Sequence, residues 1–169
     1  MSTIYRFGFM VVLFFTTLNG SAQSQSYQIY DQYAHRDGFT SLAFSKAMID
    51  AVNLNIDEEN KKVTGDLMEI RILISNREKV KDLGSLTRQF SARFDKLNYR
   101  RIEPTDSHGS ENVEFWVEGD SKRIKECHVI VMNSDDKEFS CLVSFYGNFK
   151  VEDLKSFEKF SRKQADKEE

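Results

Sequence analysis

The spacing of apolar residues changes near Tyr99 from steps of three and four to strict alternation, and this change constrains the fold. Before it, one stripe of a predicted helix is formed by Val80, Leu83, Leu86, Phe90, Phe94 and Leu97. After it, every second residue is apolar in two segments, which contain Val113, Phe115 and Val117, and then Phe139, Cys141, Val143 and Phe145. The pattern predicts an amphipathic helix that packs on an antiparallel sheet.

The other segments complete the predicted order of elements. Helices are predicted over residues 27–35, 45–52 and 153–162, a polar loop over 53–66, and strands over 39–44, 67–75, 99–102 and 123–132. Short turns between the later strands favour local antiparallel pairing. The expected fold class is therefore α+β, with a mostly antiparallel sheet of about five to six strands and two to three helices mainly on one face.

The N-terminus has the pattern of a secretory signal peptide. Arg6 precedes an apolar run over residues 7–18, and Gly20 and Ala22 are the small residues of a cleavage site before Gln23. The run is shorter than the ~20 residues of a membrane-spanning helix, and an uncleaved anchor is the alternative interpretation. The expected organisation is a leader over 1–22, one domain over 23–163, and a charged flexible tail over 164–169.

Charge and export restrict the partners. The chain has 24 basic and 27 acidic residues and a net charge of −3, unlike the basic field with which proteins bind nucleic acid. We therefore expect no nucleic acid and, after cleavage, no membrane span. The expected compartment is the periplasm, with the cell surface or the exterior as alternatives.

The usual catalytic and metal-binding signatures are missing from the sequence. Gly119-Asp120-Ser121 is interpreted as a turn between strands rather than as a nucleophile motif, since it lies beside no histidine. His35, His108 and His128 are too scattered to form a metal cluster. We therefore predict no catalytic residues, no metal site and no cofactor.

The two cysteines, Cys127 and Cys141, leave a disulfide open. If the turn at residues 133–136 pairs the strands so that residue numbers sum to 268, the cysteines face each other. A two-residue turn at Ser134-Asp135 gives a sum of 269 and places them on opposite faces. We favour two buried thiols without a bridge.

The candidate partner-binding residues are one aromatic and four basic side chains. Trp116 lies on the polar side of its predicted strand, as a plug under another element or as an exposed anchor for a partner. Arg100, Arg101, Lys122 and Arg123 are either solvated strand ends or a patch for an anionic component or an acidic surface.

Several short motifs resemble a known family. The chain has FTS at 39–41, SKAM at 45–48, EIRIL at 69–73, FSCLVSFYG at 139–147 and VEDL at 151–154. It resembles in these the exported bacterial family catalogued as domain of unknown function 4252. The resemblance implies a small envelope protein of Gram-negative bacteria, connected with envelope stress or surface regulation. It supplies no catalytic residues.

Export and the lack of catalytic signatures together favour a non-enzymatic binding or interaction module. We expect its sheet face or edge to bind an envelope protein or an anionic envelope component. A small envelope hydrolase, whose site is assembled from distant positions, is the alternative. The sequence leaves the oligomeric state open.

Overall fold

A computed structural model describes residues 24–51, 66–103, 112–120, 122–133, 136 and 138–165 of the 169-residue chain. The helices are α1 (Tyr27–Tyr33), α2 (Lys46–Ala51), α3 (Leu83–Lys96) and α4 (Leu154–Ala165), the last preceded by a 3-10 turn (Val151–Asp153). The strands are β1 (Phe39–Ser45), β2 (Asp66–Ser75), β3 (Arg100–Ile102), β4 (Val113–Gly119), β5 (Ile124–Met132) and β6 (Phe139–Phe149).

The strands form one sheet in the order β1-β2-β6-β5-β4-β3. Each neighbouring pair is antiparallel. The predicted fold class, an α+β domain with a mostly antiparallel sheet, is confirmed. β6 lies at the centre of the sheet, between β2 and β5. It therefore connects β1 and β2, from the first half of the chain, to β5, β4 and β3.

The helices are divided between the two faces, rather than packed mainly on one. We call the faces the α3 face, covered by α1 and α3, and the α4 face, covered by α2 and α4. The reason is that the central strands are apolar on both sides. Ile72 faces α4 whereas the next residue, Leu73, faces α3. Both apolar faces need a covering layer.

The predicted amphipathic helix is α3. It begins at Leu83 rather than Val80, because the Asp82 side chain caps it by accepting a hydrogen bond from the Ser85 backbone N–H at 3.1 Å. The predicted stripe is buried on the sheet at Leu83, Leu86, Phe90 and Phe94. The helix is followed by Asn98 in the left-handed region at φ 63°, which turns the chain into Tyr99 and β3.

A bulge near the start of β6 changes the predicted alternation. Val131 pairs with Cys141, but Met132 pairs with Phe139, so Ser140 is an extra residue. Phe139 therefore leaves the face of Cys141 and packs on Phe90 of α3, with 4.9 Å between the ring centres. The prediction that Phe139 shares a face with Cys141 is wrong for this reason.

The cysteines are buried and not joined by a disulfide, as predicted. Cys127 pairs with Phe145, and Cys141 pairs with Val131. Both thiols lie on the α4 face, but four residues of register separate them, which is about 13 Å and too far for a bridge. Burial raises the pKa of Cys127.

Several predictions fall outside the described residues. The leader and its cleavage site, almost all of the polar loop over 53–66, His108, Ser121 and residues 166–169 of the tail belong to this group. None of the helices in the described part of the chain has the length and apolar character needed to cross a bilayer.

Candidate functional site

Two rows of polar side chains cross the α3 face of the sheet. Each row takes one residue from β2, β6 and β5. The first row is Glu69, Tyr146 and Glu126, and the second is Arg71, Ser144 and His128. Both rows arise because each strand has polar residues at positions i and i+2, which point to the same face. The rows bring together two carboxylates, a guanidinium, an imidazole and two hydroxyl groups.

His128 lies at the centre of a hydrogen-bonded cluster that we call the His128 network. Its members are Ser24, Ser26, Tyr30, Tyr99, Glu126, His128, Ser144 and Tyr146. The Tyr30 hydroxyl donates to Ser144 Oγ at 2.6 Å, and Ser144 Oγ lies 2.6 Å from His128 Nδ1. We therefore assign the Ser144 proton to the bond with Nδ1 and the ring proton to Nε2.

The second ring nitrogen points toward Glu126. His128 Nε2 lies 3.5 Å from Glu126 Oε2, a contact too long for a good hydrogen bond, and it makes none within the described residues. Burial lowers the pKa of His128, and the nearby Glu126 only partly opposes this effect. The imidazole is therefore neutral at pH 7.

Glu126 accepts hydrogen bonds from hydroxyl donors in two parts of the chain. Its Oε2 accepts from Ser24 and Tyr99, each at 2.7 Å, and from Ser26 at 3.2 Å. Burial alone would raise the pKa of Glu126, but its contact with His128 and the Tyr99 and Ser24 donors hold it below the ordinary value. Burial raises the pKa of Tyr99, so this hydroxyl remains a donor.

The N-terminal segment covers the two polar rows on the α3 face of the sheet. Tyr27 donates to Glu69 Oε2 at 2.5 Å, and Ser26 Oγ lies 2.8 Å from the Tyr146 hydroxyl. The Arg71 guanidinium lies 3.6 Å from the centre of the Tyr27 ring. Burial and the bond to Glu69 raise the pKa of Tyr27 to about 12. Each such bond contributes about 1 kcal/mol, so the network fixes α1 to the sheet.

Ser144, His128 and Glu126 follow the order of a nucleophile, a base and an orienting acid, but the arrangement is closed. Ser144 and His128 are 0 % exposed. Phe94 stacks on the imidazole at 4.5 Å between ring centres, and Tyr99 meets its edge at 4.6 Å. A nucleophile needs space for a substrate and an oxyanion, and Ser144 is not exposed to a substrate in this arrangement.

Potential metal-ligating side chains do not cluster in the described part of the chain. Across the described ranges, no three His, Cys, Asp or Glu side chains come close enough to hold a metal ion. The His128 network contains only one imidazole and one carboxylate, and both face hydroxyl donors.

Two of the candidate partner-binding residues meet at Glu114. Trp116 is 6 % exposed, stacks on Phe94 of α3, and donates its indole N–H to Glu114 Oε2 at 3.2 Å. Ser91 Oγ donates to the same oxygen at 2.7 Å, and Arg101 lies 3.4 Å from Oε1. The structure therefore places Trp116 as a plug under α3 and Arg101 as the partner of a mostly buried carboxylate.

The other three candidates do not contact Glu114, and they are exposed, as Arg101 is. Arg100 pairs with Val117 and so points to the α4 face, away from Arg101. Lys122 and Arg123 lie in the turn after β4, where their backbone N–H groups donate to Asp120 Oδ1 at 2.7 and 2.8 Å. These bonds lower the pKa of Asp120. The structure thus separates the basic residues between two faces and one turn.

One groove of about 460 Å³ runs between α1 and α3. Its lining consists of Gln32, Tyr33, Gln89, Phe90, Ala92, Arg93 and Lys96. Arg93 donates to the Gln32 side chain across it, so the two helices are already joined there.

The edge strand β1 presents unused backbone groups. The Asn76 N–H donates to the Gly38 carbonyl at 2.7 Å. Because bonded pairs alternate along an antiparallel ladder, residues 40, 42 and 44 bond to β2. Ser41 and Ala43 therefore direct their N–H and C=O groups away from the sheet. Ser45 directs its N–H the same way, whereas its C=O accepts the first hydrogen bond of α2. No other strand in the described part of the chain pairs with this side of β1.

β1 also lacks the features that normally prevent pairing with other chains. Its seven residues carry no charge, no proline and no bulge. Leu42 is 41 % exposed on the α4 face, and Met48 of the adjoining α2 is 48 % exposed. The opposite edge strand, β3, has three residues, of which two are arginines.

Sequence reasoning missed both features for identifiable reasons. The His128 network had a sequence signal, namely polar residues at i and i+2 in the three segments that became β2, β5 and β6. The strand order that makes these segments neighbours was unknown. β1 was recognised as a strand, but its position at an edge is a property of the whole sheet.

Comparison with known proteins places the chain in a family without an assigned activity. No curated protein and no solved structure matches it significantly. Residues 30–157 match the family described as Domain of unknown function (DUF4252). This match runs from α1 to α4 and includes every strand, so the chain belongs to that family.

Proposed function

We propose that the chain is exported and works as a non-enzymatic binding module, and that the edge strand β1 is its docking element. The observation that carries this proposal is the set of outward backbone groups of Ser41, Ala43 and Ser45 on a long uncharged edge. Such an edge binds an extended segment of another polypeptide by strand addition.

Strand addition explains the composition of the edge. The added segment bonds to the N–H groups of Ser41, Ala43 and Ser45 and to the C=O groups of Ser41 and Ala43, which provides affinity independent of side chains. Its own side chains meet Thr40, Leu42 and Phe44 on the α4 face. An apolar or neutral strand is favoured because β1 offers no charge to pair with an ionic side chain.

The alternative hydrolase is less well supported. Its best candidate nucleophile, Ser144, is fully buried and bonded to Tyr30 and His128. A second binding surface for an acidic partner or an anionic envelope component is favoured only by the exposure of the four basic candidates, Arg100, Arg101, Lys122 and Arg123. Trp116 does not join that surface, because its ring is covered by α3.

The test is the substitution Ala43→Pro, with Ala43→Ser as the matched control. Proline removes one outward N–H but is tolerated on an edge strand, whereas serine keeps the N–H. We expect Ala43→Pro to lose association with any polypeptide, another copy included, and Ala43→Ser to keep it. Native mass spectrometry of the C-terminally tagged protein, purified from intact envelopes, measures the bound polypeptides.

Two results would contradict the proposal. One is a folded Ala43→Pro protein, with an unchanged circular dichroism spectrum, that keeps all of the wild-type associations. The other concerns export, for which N-terminal sequencing of the same sample should begin at Gln23. Recovery of the chain with Met1 intact would remove the exported part of the proposal.

A further inference from the structure

We propose that the strand that docks on β1 is the β1 strand of a second copy of this chain, which makes the protein a two-fold symmetric dimer. This inference rests on the proposed function, since it names the partner of the same edge. The two sheets would join into one continuous sheet of twelve strands, six from each copy.

The first argument is the symmetry of the strand. A two-fold interface requires a surface that complements itself. With Leu42 opposite Leu42 of the second copy, all seven residues of β1 are paired and none overhangs. The small residues Ser41 and Ala43 then lie opposite each other. Thr40 lies opposite Phe44, and no charged pair arises.

The second argument is the phase of the hydrogen bonds. The outward groups belong to Ser41, Ala43 and Ser45. In the Leu42-centred register, Ser41 of one copy and Ala43 of the other are a bonded pair, formed twice around the axis. Leu42 falls at a non-bonded pair, where cross-strand side chains approach most closely. The apolar side chain that is 41 % exposed in one copy is thereby covered.

The third argument is electrostatic. A foreign partner selected by charge needs charged residues at the docking strand, and β1 has none. Two copies of a neutral strand approach each other without like-charge repulsion. If the pair were centred on Ala43 instead, Phe39 and Thr40 would have no partner within β1 of the second copy, and Lys46 would lie opposite Thr40. The Leu42-centred register therefore covers more of the edge.

The experiment compares Leu42→Cys with Thr40→Cys in the chain that begins at Gln23. Residues 40 and 42 are both exposed and point to the same face. At the axis, a cysteine introduced at position 42 meets its counterpart in the second copy and should form a disulfide. Cysteines introduced at position 40 would be about 13 Å apart or more, beyond disulfide reach. The native Cys127 and Cys141 are 0 % exposed and do not compete.

We expect the wild type to sediment as a dimer and Leu42→Cys to give roughly tenfold more covalent dimer than Thr40→Cys on mild oxidation. A monomeric wild type would overturn the inference, and so would a dimer with equal cross-linking of the two variants. If Leu42→Cys does not fold, the test is the effect of Ala43→Pro on the wild-type dimer. Loss of the dimer in Ala43→Pro supports the inference, and an intact dimer overturns it. The wild type could instead be a monomer that binds a foreign polypeptide, and Ala43→Pro could lose that polypeptide. This result would overturn the proposal of a second copy but would support the proposed function.

Discussion

The His128 network and the β1 edge differ in how their polar groups are hydrogen-bonded. In the network, buried hydroxyls, an imidazole and a carboxylate bond to one another and fix α1 to the sheet. At β1, the backbone groups of Ser41, Ala43 and Ser45 point out of the sheet. Buried polar groups must be paired, whereas exposed ones are available to another chain. The cluster rich in reactive side chains is bonded within the fold, and the proposed interaction surface is the strand without such side chains.

The two edges of the sheet repeat this contrast. β3 is short and carries Arg100 and Arg101, features that disfavour pairing with another chain. β1 is longer, neutral and regular. Under the proposed function, this difference between the two edges would restrict strand addition to β1.

The largest expected effect is on folding stability, from Trp116→Ala on the α3 face. The substitution empties a site covered by Phe94 and removes a donor to Glu114, which should lower the free energy of unfolding by about 3–5 kcal/mol. Association through β1 should persist, because β4 is separated from β1 by three strands. Urea denaturation and sedimentation measure the two quantities.

Met48→Ala is the matched control for that experiment. Met48 is large, apolar and 48 % exposed, so its loss should change stability by less than about 0.5 kcal/mol. A Trp116→Ala protein as stable as this control would mean that the indole is not a structural plug. The division between a structural α3 face and an interacting edge would then fail.

The next effect is a loss of stability in acid, to which His128 and Glu126 of the network contribute. Burial holds the pKa of folded His128 below its ordinary 6.5, so the unfolded chain binds a proton first as the pH falls. Stability is therefore full above pH 6.5 and decreases from there down to the folded pKa, by at most about 1.4 kcal/mol per pH unit. Glu126, whose pKa lies below its ordinary 4.5, adds a further loss below pH 4.5.

Urea midpoints of the wild type and of His128→Gln between pH 7 and 5 test this assignment. The variant should be less stable throughout but should show a smaller slope in that window. The slope below pH 4.5 should be reduced but not lost, because Tyr99 and Ser24 still donate to Glu126 after the His128 contact is removed. Equal slopes between pH 7 and 5 would show that another group causes the acid sensitivity.

The sequence predicted those parts of the fold that local pattern determines. The stripe of α3 and the alternation of β4 follow from helical and strand periodicity, and both are found. The position of α4 on the opposite face from α3 was not predicted. A strand that is apolar on both sides, such as β5 at Val129 to Val131, shows that both faces are covered but not which helix covers each.

The candidate site was harder to predict because its parts meet only through sheet order. The sequence left two interpretations of Trp116, a plug under another element or an exposed anchor, and its burial favours the plug. Glu126 and His128 lie on one strand, but their partners Ser24 and Ser144 come from distant segments. The edge position of β1 likewise depends on β2 pairing with β6 on its other side.

The smallest expected effect on stability comes from Leu42→Lys, which gives β1 a charge of the kind that β3 already carries. Leu42 is 41 % exposed, so the free energy of unfolding should change by less than about 0.5 kcal/mol. Association should weaken by roughly tenfold or more, because two lysines would face each other at the axis of the dimer and like charges directly opposite are destabilising. Arg100→Ala, which alters the charge of the opposite edge, should leave sedimentation unchanged. If Leu42→Lys associates as the wild type does while Arg100→Ala does not, the roles of the two edges are reversed.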